Sequence, residues 1–284
     1  MMKYYSTPKP KDRSAFRLAM GKAYFRFRRR IYWWFGGRFG KIHFAGIAAN
    51  AESINTEHFA HQTPLLRQLK DVDMYLQHNK IINLRLALQR VNGVVVKPGE
   101  TFSYWRLIGK PTARKGYVSG MVLDKGKVTV GIGGGLCQLS NLIYWLTLHT
   151  PLTVAERHRH SFDVFPDSGR TQPFGSGATC FYNYIDLMIK NETDMPFKLV
   201  LEVADGEELL LKGSWLSVKP PEYRYEVYEK SHMIKSHFWG GYTRHNTIHR
   251  RVFDAEGIEV GDEFITENHA IMMYEPLLEA RDDK

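Results

Sequence analysis

The chain has 284 residues, 43% hydrophobic and 13% aromatic, enough to bury one large core or two small ones and too apolar for wholesale disorder. No run of about 18 apolar residues occurs, so no transmembrane helix is expected. Two cysteines, Cys137 and Cys180, exclude a disulfide-dense scaffold and cannot alone complete a zinc site. The formal net charge is +9, but residues 1–42 carry +11 of it and the remainder sums to −2.

That basic start points to an anionic partner, a membrane surface or nucleic acid. Arginines interrupt every stretch long enough for a signal-peptide core, so a cytoplasmic location is expected. Phe16, Met20, Tyr24, Phe27, Ile31 and Trp34 recur at helical spacing, and Gly36-Gly37 is expected to end the helix. One reading docks this apolar stripe against the body of the protein. The other lays it on the inner face of an anionic membrane. Nucleic acid is disfavoured, because no binding motif accompanies the charge.

Residues 43–62 show no period and read as a linker or irregular wrap. Helical spacing is expected over 65–76 and again over 79–91, where Asn92-Gly93 stops it. Val94–Val96, the Pro98-Gly99 turn and Thr101–Trp105 read as strand, turn, strand. Short strands follow at Met121–Leu123 and Val128–Val130, then a glycine run and an apolar helix from Cys137 to His149, closed by Thr150-Pro151. Later strands are expected at 152–156, 178–182, 181–189, 198–203, 208–212, 223–228, 247–253 and 271–274. Early helices, one central helix and late strands predict an α+β fold with a largely antiparallel sheet.

The segment Gly131-Ile-Gly-Gly-Gly-Leu-Cys-Gln-Leu-Ser-Asn141 is the densest chemical signal. Gly133, Gly134 and Gly135 would expose N–H groups at the start of the Cys137 helix, where the helix dipole favours negative charge. A thiolate at Cys137 should be favoured there, below the ~8.5 of a free thiol. The same amides could hold a carboxylate, a phosphate or an oxyanion, with Gln138 and Ser140 beside them. His158 and His160 would share one face of a strand and could exchange a proton with Cys137. Glu156 or Asp163 could orient the imidazole.

Plainer readings compete with these. A buried cysteine is more often a small hydrophobe than a nucleophile, and glycine turns before helices are common. Zinc held by Cys137, His158 and His160 would need a fourth ligand. The run is not a phosphate-binding P-loop, since no Lys-Ser/Thr follows it. Cys180 reads as structural. The histidines at 232, 237, 245, 249 and 269 are scattered and receive no role.

Three ordered segments resemble the VanW family. They are Asn92-Gly-Val-Val-Val-Lys-Pro-Gly-Glu-Thr-Phe-Ser103, Gly133-Gly-Gly-Leu-Cys-Gln-Leu-Ser140, and Glu156-Arg-His158 with His160-Ser161. The resemblance implies a role in glycopeptide resistance and cell-wall peptide metabolism, without a cofactor. It divides the chain into a basic amphipathic segment (1–42), a VanW-like domain (43–218) and a β-rich extension packed on it (219–284). Exported relatives are linked to L,D-transpeptidase chemistry on peptidoglycan stem peptides, with a cysteine matching Cys137. Without an export signal, the expected substrate is a peptidoglycan precursor or another peptide carrying D-amino acids. The two implied activities are cysteine-dependent acyl transfer and non-catalytic binding of an anionic wall precursor.

Overall fold

The computed structural model describes residues 13–39, 42–48, 51–66, 73–124, 126–164, 172–238 and 240–276. In chain order these form α1 (Ala15–Arg38), β1 (His43–Phe44), β2 (Gly46–Ile47), β3 (Thr56–Pro64), α2 (Met74–Val91), β4 (Val94–Val96) and β5 (Glu100–Ser103). Next come α3 (Tyr104–Ile108), β6 (Ser119–Asp124), β7 (Lys127–Ile132), α4 (Cys137–Leu148), β8 (Thr153–Glu156), β9 (Phe162–Asp163) and β10 (Met188–Lys190). The chain closes with β11 (Phe197–Ala204), β12 (Leu210–Ser217), β13 (Arg224–His237), β14 (Gly241–Phe253) and β15 (Glu259–Met272). The architecture is α+β and mostly antiparallel, as the order of patterns predicts.

An antiparallel sheet runs β2-β4-β11-β12-β3, and α4 lies across it. Gly213 on β12 permits this crossing, because a Cβ there would sit 2.9 Å from both Leu146 on α4 and Leu201 on β11. Leu139, Leu142, Ile143 and Leu146 of α4 meet Trp215, Phe197 and Leu199 in a core closed to solvent. The hydrophobic gain from such side chains, about 1.5–3 kcal/mol each, fixes the helix that carries Cys137. A second sheet runs β1-β5-β10-β8. Thus β4 and β5, adjacent in sequence, diverge into different sheets. Asn191 ties the divergence, its side-chain amide donating to the Val96 carbonyl and its N–H to that of Glu100. The third sheet, β13-β14-β15-β9, is a meander of long strands that takes β9 from the middle of the chain as a parallel neighbour.

Several expectations are corrected. Residues 43–62 include β1, β2 and most of β3; β3 is a polar strand at a sheet edge, so its sequence carries no hydrophobic alternation to read. Part of the helix expected over 65–76 lies outside the described residues; Leu65 and Leu66 are not helical, and α2 begins at Met74. The strand expected over 181–189 shrinks to β10, and that over 178–182 is an irregular segment with only an isolated Phe181–Ile185 bridge. Thr101–Trp105 is strand only to Ser103, after which α3 starts. Gly36 and Gly37 do not end α1, which continues to Arg38.

The largest surprise concerns α1. Its predicted apolar stripe faces solvent: Phe16 is 76% exposed and Phe27 64%, and Met20, Tyr24, Ile31 and Trp34 are exposed with them. The opposite side docks instead. Arg29 pairs with Glu156 at 2.7 Å, Phe25 stacks on Tyr184, Lys22 lies over Phe181, and Trp33 packs against the main core. Charge and aromatic stacking, rather than the aliphatic periodicity, choose the docked face.

Candidate active site

The glycine run is a packed turn. Gly134 crosses Gly120 of β6 so closely that a Cβ would lie 2.1 Å from the Gly120 carbonyl carbon. Gly135, at φ 90°, lies over the aliphatic chain of Lys80, which leaves no room for a Cβ. The N–H groups of Gly133, Gly134 and Gly135 donate to the carbonyls of Val118, Gly131 and Met121. They are therefore not open to an anion, contrary to the expectation from the glycines alone. Among the described residues, the N–H groups of Leu136 and Cys137 have no backbone acceptor. These are the donors at the start of α4, where the dipole is strongest.

Gln138 and Ser140 are also taken by the fold. The Gln138 amide donates to Thr63 Oγ1 at 2.9 Å and to the Pro64 carbonyl at 2.8 Å, clamping α4 to β3. Ser140 is fully buried, and its hydroxyl meets the Ala178 carbonyl at 2.7 Å and the Cys137 carbonyl at 3.1 Å. The sequence places both beside the cysteine, but their geometry anchors the helix.

Cys137 occupies the first position of α4 and is half-buried, with its Sγ donating to the Cys180 carbonyl at 3.6 Å. Burial pushes its thiol above the ordinary range, only partly offset by the contact with the Cys180 backbone. The direction is opposite to the lowering expected at a helix start, because burial, which disfavours the thiolate, is the largest influence on it. Cys180 is buried, and its thiol is raised further by burial and by the neighbouring Cys137.

The imidazoles separate. Strand β8 ends at Glu156, so His158 and His160 do not share a strand face. His158 Nε2 lies 2.9 Å from Glu156 Oε1, and its ring is 41% exposed. Its carbonyl accepts from Thr179 N–H, next to Cys180, which brings its backbone alongside the segment that the Cys137 thiol touches. No hydrogen bond joins either imidazole to Cys137 among the described residues. The pKa of His160 is lowered to about 4 by burial and by the Arg157 charge, so it is neutral at neutral pH. Asp163 belongs to the third sheet, paired with Arg244 and accepting from Tyr274. Glu156 is therefore the carboxylate that holds an imidazole. No three His, Cys, Asp or Glu side chains among the described residues gather as metal ligands.

Local sequence reasoning missed Arg29, which stands 127 residues before its partner Glu156. Burial pushes the Glu156 carboxyl up, but the hydrogen bonds from His158 and Arg29 and the Arg29 charge outweigh it, leaving the pKa below the ordinary range. Beneath it, buried Asp186 is raised to about 7 by burial, against hydrogen bonds from Ser103 and Trp105 and the Arg29 charge. Arg157, inside the Glu-Arg-His segment, was likewise unassigned. Its guanidinium donates to the Gly175 and Gly177 carbonyls and to Asn268, and lies over the Tyr144 ring. No local signal reveals either arginine's partner, because each contact crosses the fold.

The structure is thus an α+β domain that sets one cysteine at a helix start on a glycine turn, with a carboxylate-held histidine on another segment. Residues 79–212 match the family described as VanW like protein, and this chain carries a VanW-family domain. It is 39% identical over 155 residues to the vancomycin B-type resistance protein VanW of Enterococcus faecalis (strain ATCC 700802 / V583), over 55% of each chain. It is 31% identical over 114 residues to the uncharacterized protein YoaR of Bacillus subtilis (strain 168), over 40% of this chain and 36% of that protein. The matches thus span about half of the first relative and about a third of the second. No solved structure matches the chain. The family is associated with vancomycin resistance.

Proposed function

We propose that the protein performs cysteine-dependent acyl transfer on a peptidoglycan precursor or a related peptide containing D-amino acids. The observation that carries this reading is the placement of Cys137 at the first turn of α4, beside the segment that holds the Glu156–His158 pair. A protonated thiol needs a base at the moment of attack. In the proposed step, Cys137 Sγ bonds to the peptide carbonyl carbon while His158 takes the thiol proton. The carbonyl π pair moves onto oxygen, toward the Leu136 and Cys137 N–H groups at the start of α4. Collapse expels the amine, which leaves with the proton from His158. A thioester remains, to be resolved by a second amine or by water. Glu156 keeps the imidazole oriented.

Intact-mass measurement of the full chain with a D-alanyl stem-peptide thioester tests this. An adduct of the acyl mass should form, persist in Cys180→Ser and vanish in Cys137→Ala. Absence of both adduct and turnover in the folded protein would overturn the reading.

One feature favours a second reading, in which the protein binds an anionic wall precursor without turnover: burial pushes the Cys137 thiol above its ordinary range. Under that reading, precursor binding measured by calorimetry survives Cys137→Ala unchanged.

A further inference from the structure

We infer that α1 is a two-sided helix whose inner side docks on the body of the protein while its outer side lies in the surface of an anionic lipid leaflet. At 100° per residue, Leu18, Gly21, Phe25, Arg29, Trp33 and Gly36 gather on one side of the helix. The contacts described above all leave from that side: Arg29 to Glu156, Phe25 to Tyr184, Trp33 to the core. Phe16, Met20, Tyr24, Phe27, Ile31 and Trp34 gather on the opposite side, and all six are exposed.

The charge pattern selects the occupant. Arg17 and Arg28 are exposed along one flank of this outer stripe and Arg30 along the other. A second protein chain does not by its nature offer anionic groups along both borders of an apolar stripe. A leaflet does: the ring faces enter the boundary between headgroups and acyl chains, and the flanking guanidiniums reach anionic phosphates. The aromatic content of the stripe fits the same depth, since rings with a polar edge favour the membrane interface. No described helix is long and apolar enough to cross a membrane, so α1 would lie along the surface. The docked side does not compete with this, and neither reading of the sequence included both contacts at once. The inference does not draw on the chemistry at Cys137.

The test is cosedimentation of the full chain with phosphatidylcholine vesicles, with and without phosphatidylglycerol. Binding should require the anionic lipid. It should weaken but persist at high salt, because salt screens the arginines and leaves apolar insertion in place. Replacing Arg17, Arg28 and Arg30 with Gln should weaken partitioning about a hundredfold. Phe16→Ser with Phe27→Ser should remove the salt-resistant part. Both variants should keep the wild-type melting temperature, because the replaced side chains face away from the body. The inference is overturned if the wild type ignores anionic vesicles. It is equally overturned if the protein dimerises in solution through the Phe16–Phe27 stripe, which would make a second copy the occupant.

Discussion

The turn Gly133–Gly135 is held by backbone groups from its own neighbourhood, whereas Glu156–His158 is held by a side chain drawn from far along the chain. The turn is dense: a carbonyl against a glycine, a lysine stem under another, and every glycine amide bonded. The dyad is polar and half open, with Arg29 neutralising Glu156 from one side and His158 facing solvent on the other. Residues that look like an anion cradle in sequence thus build the platform. The charge that holds Glu156 comes from a helix outside the family-matched segment.

The strongest test of the platform is Gly134→Ala. Its methyl group cannot avoid the Gly120 backbone, so a loss of roughly 3 kcal/mol or more is expected, read as a large fall in melting temperature. If the variant melts like wild type, the turn is not the packed element described. On the dyad side, Arg29→Ala leaves the Glu156 carboxylate with only His158 and the Asp186 N–H and should cost about 2 kcal/mol by urea unfolding. It should also raise the Glu156 pKa, and Arg29→Lys should restore part of both. An unchanged pKa in Arg29→Ala would break the contrast between the two regions.

Two carboxylates give opposite pH slopes. The Glu156 pKa is depressed in the folded state. Its stabilisation is therefore present above the unfolded value of about 4.3 and is lost as the pH falls through the folded one. Asp186 is raised to about 7, so the folded state holds its proton longer than the unfolded chain. That contribution is complete below about 4 and is lost as the pH rises toward about 7. Over the same range the buried histidines, His160 among them, are neutral in the folded state down to about 4 and make stability rise with pH; Asp186 opposes that rise, so Asp186→Asn should steepen the dependence of the urea midpoint on pH. A smaller effect concerns the thiol: iodoacetamide labelling of Cys137 in Cys180→Ser should show a midpoint above the ~8.5 of a free cysteine. A midpoint below it would restore the helix dipole as the dominant influence. The least change is expected for Gln138→Ala, about 1 kcal/mol, because Thr63 and Pro64 lie at a sheet edge where water can replace the amide.

Where a pattern is local, the sequence is a good guide. The β6–β7 hairpin, α4 and the β11–β12 hairpin announce themselves through apolar runs and turn residues. Asn92-Gly93 ends α2 because Gly93 takes φ 79°. Polar edge strands such as β3 escape, since half-exposed backbone pairing leaves no hydrophobic period. The positions of Cys137, His158 and the glycines are readable for the same local reason, but their roles are not. Which amides are taken depends on Val118 and Met121, and which carboxylate holds the imidazole depends on Arg29. Even the correct helical period of α1 leaves its orientation undetermined, because the docked face is chosen by partners at 156, 181 and 184.

The parallel pairing of β9 with β15 has a consequence for the order of assembly. Phe162 lies opposite Ile271, and Arg157 and Arg159 reach Asn268 and Glu267 on the same late strand. A chain emerging from the ribosome can close the β11–β12 hairpin and seat α4 well before β15 exists. The stretch after Glu156 has no strand to lie against until β15 appears more than a hundred residues later. Such long-range closure is slow relative to local pairing. Staged assembly is therefore expected: the cysteine helix and the His158 contacts with Glu156 and Thr179 can form early, and Phe162–Asp163 is fixed only when the final strand arrives.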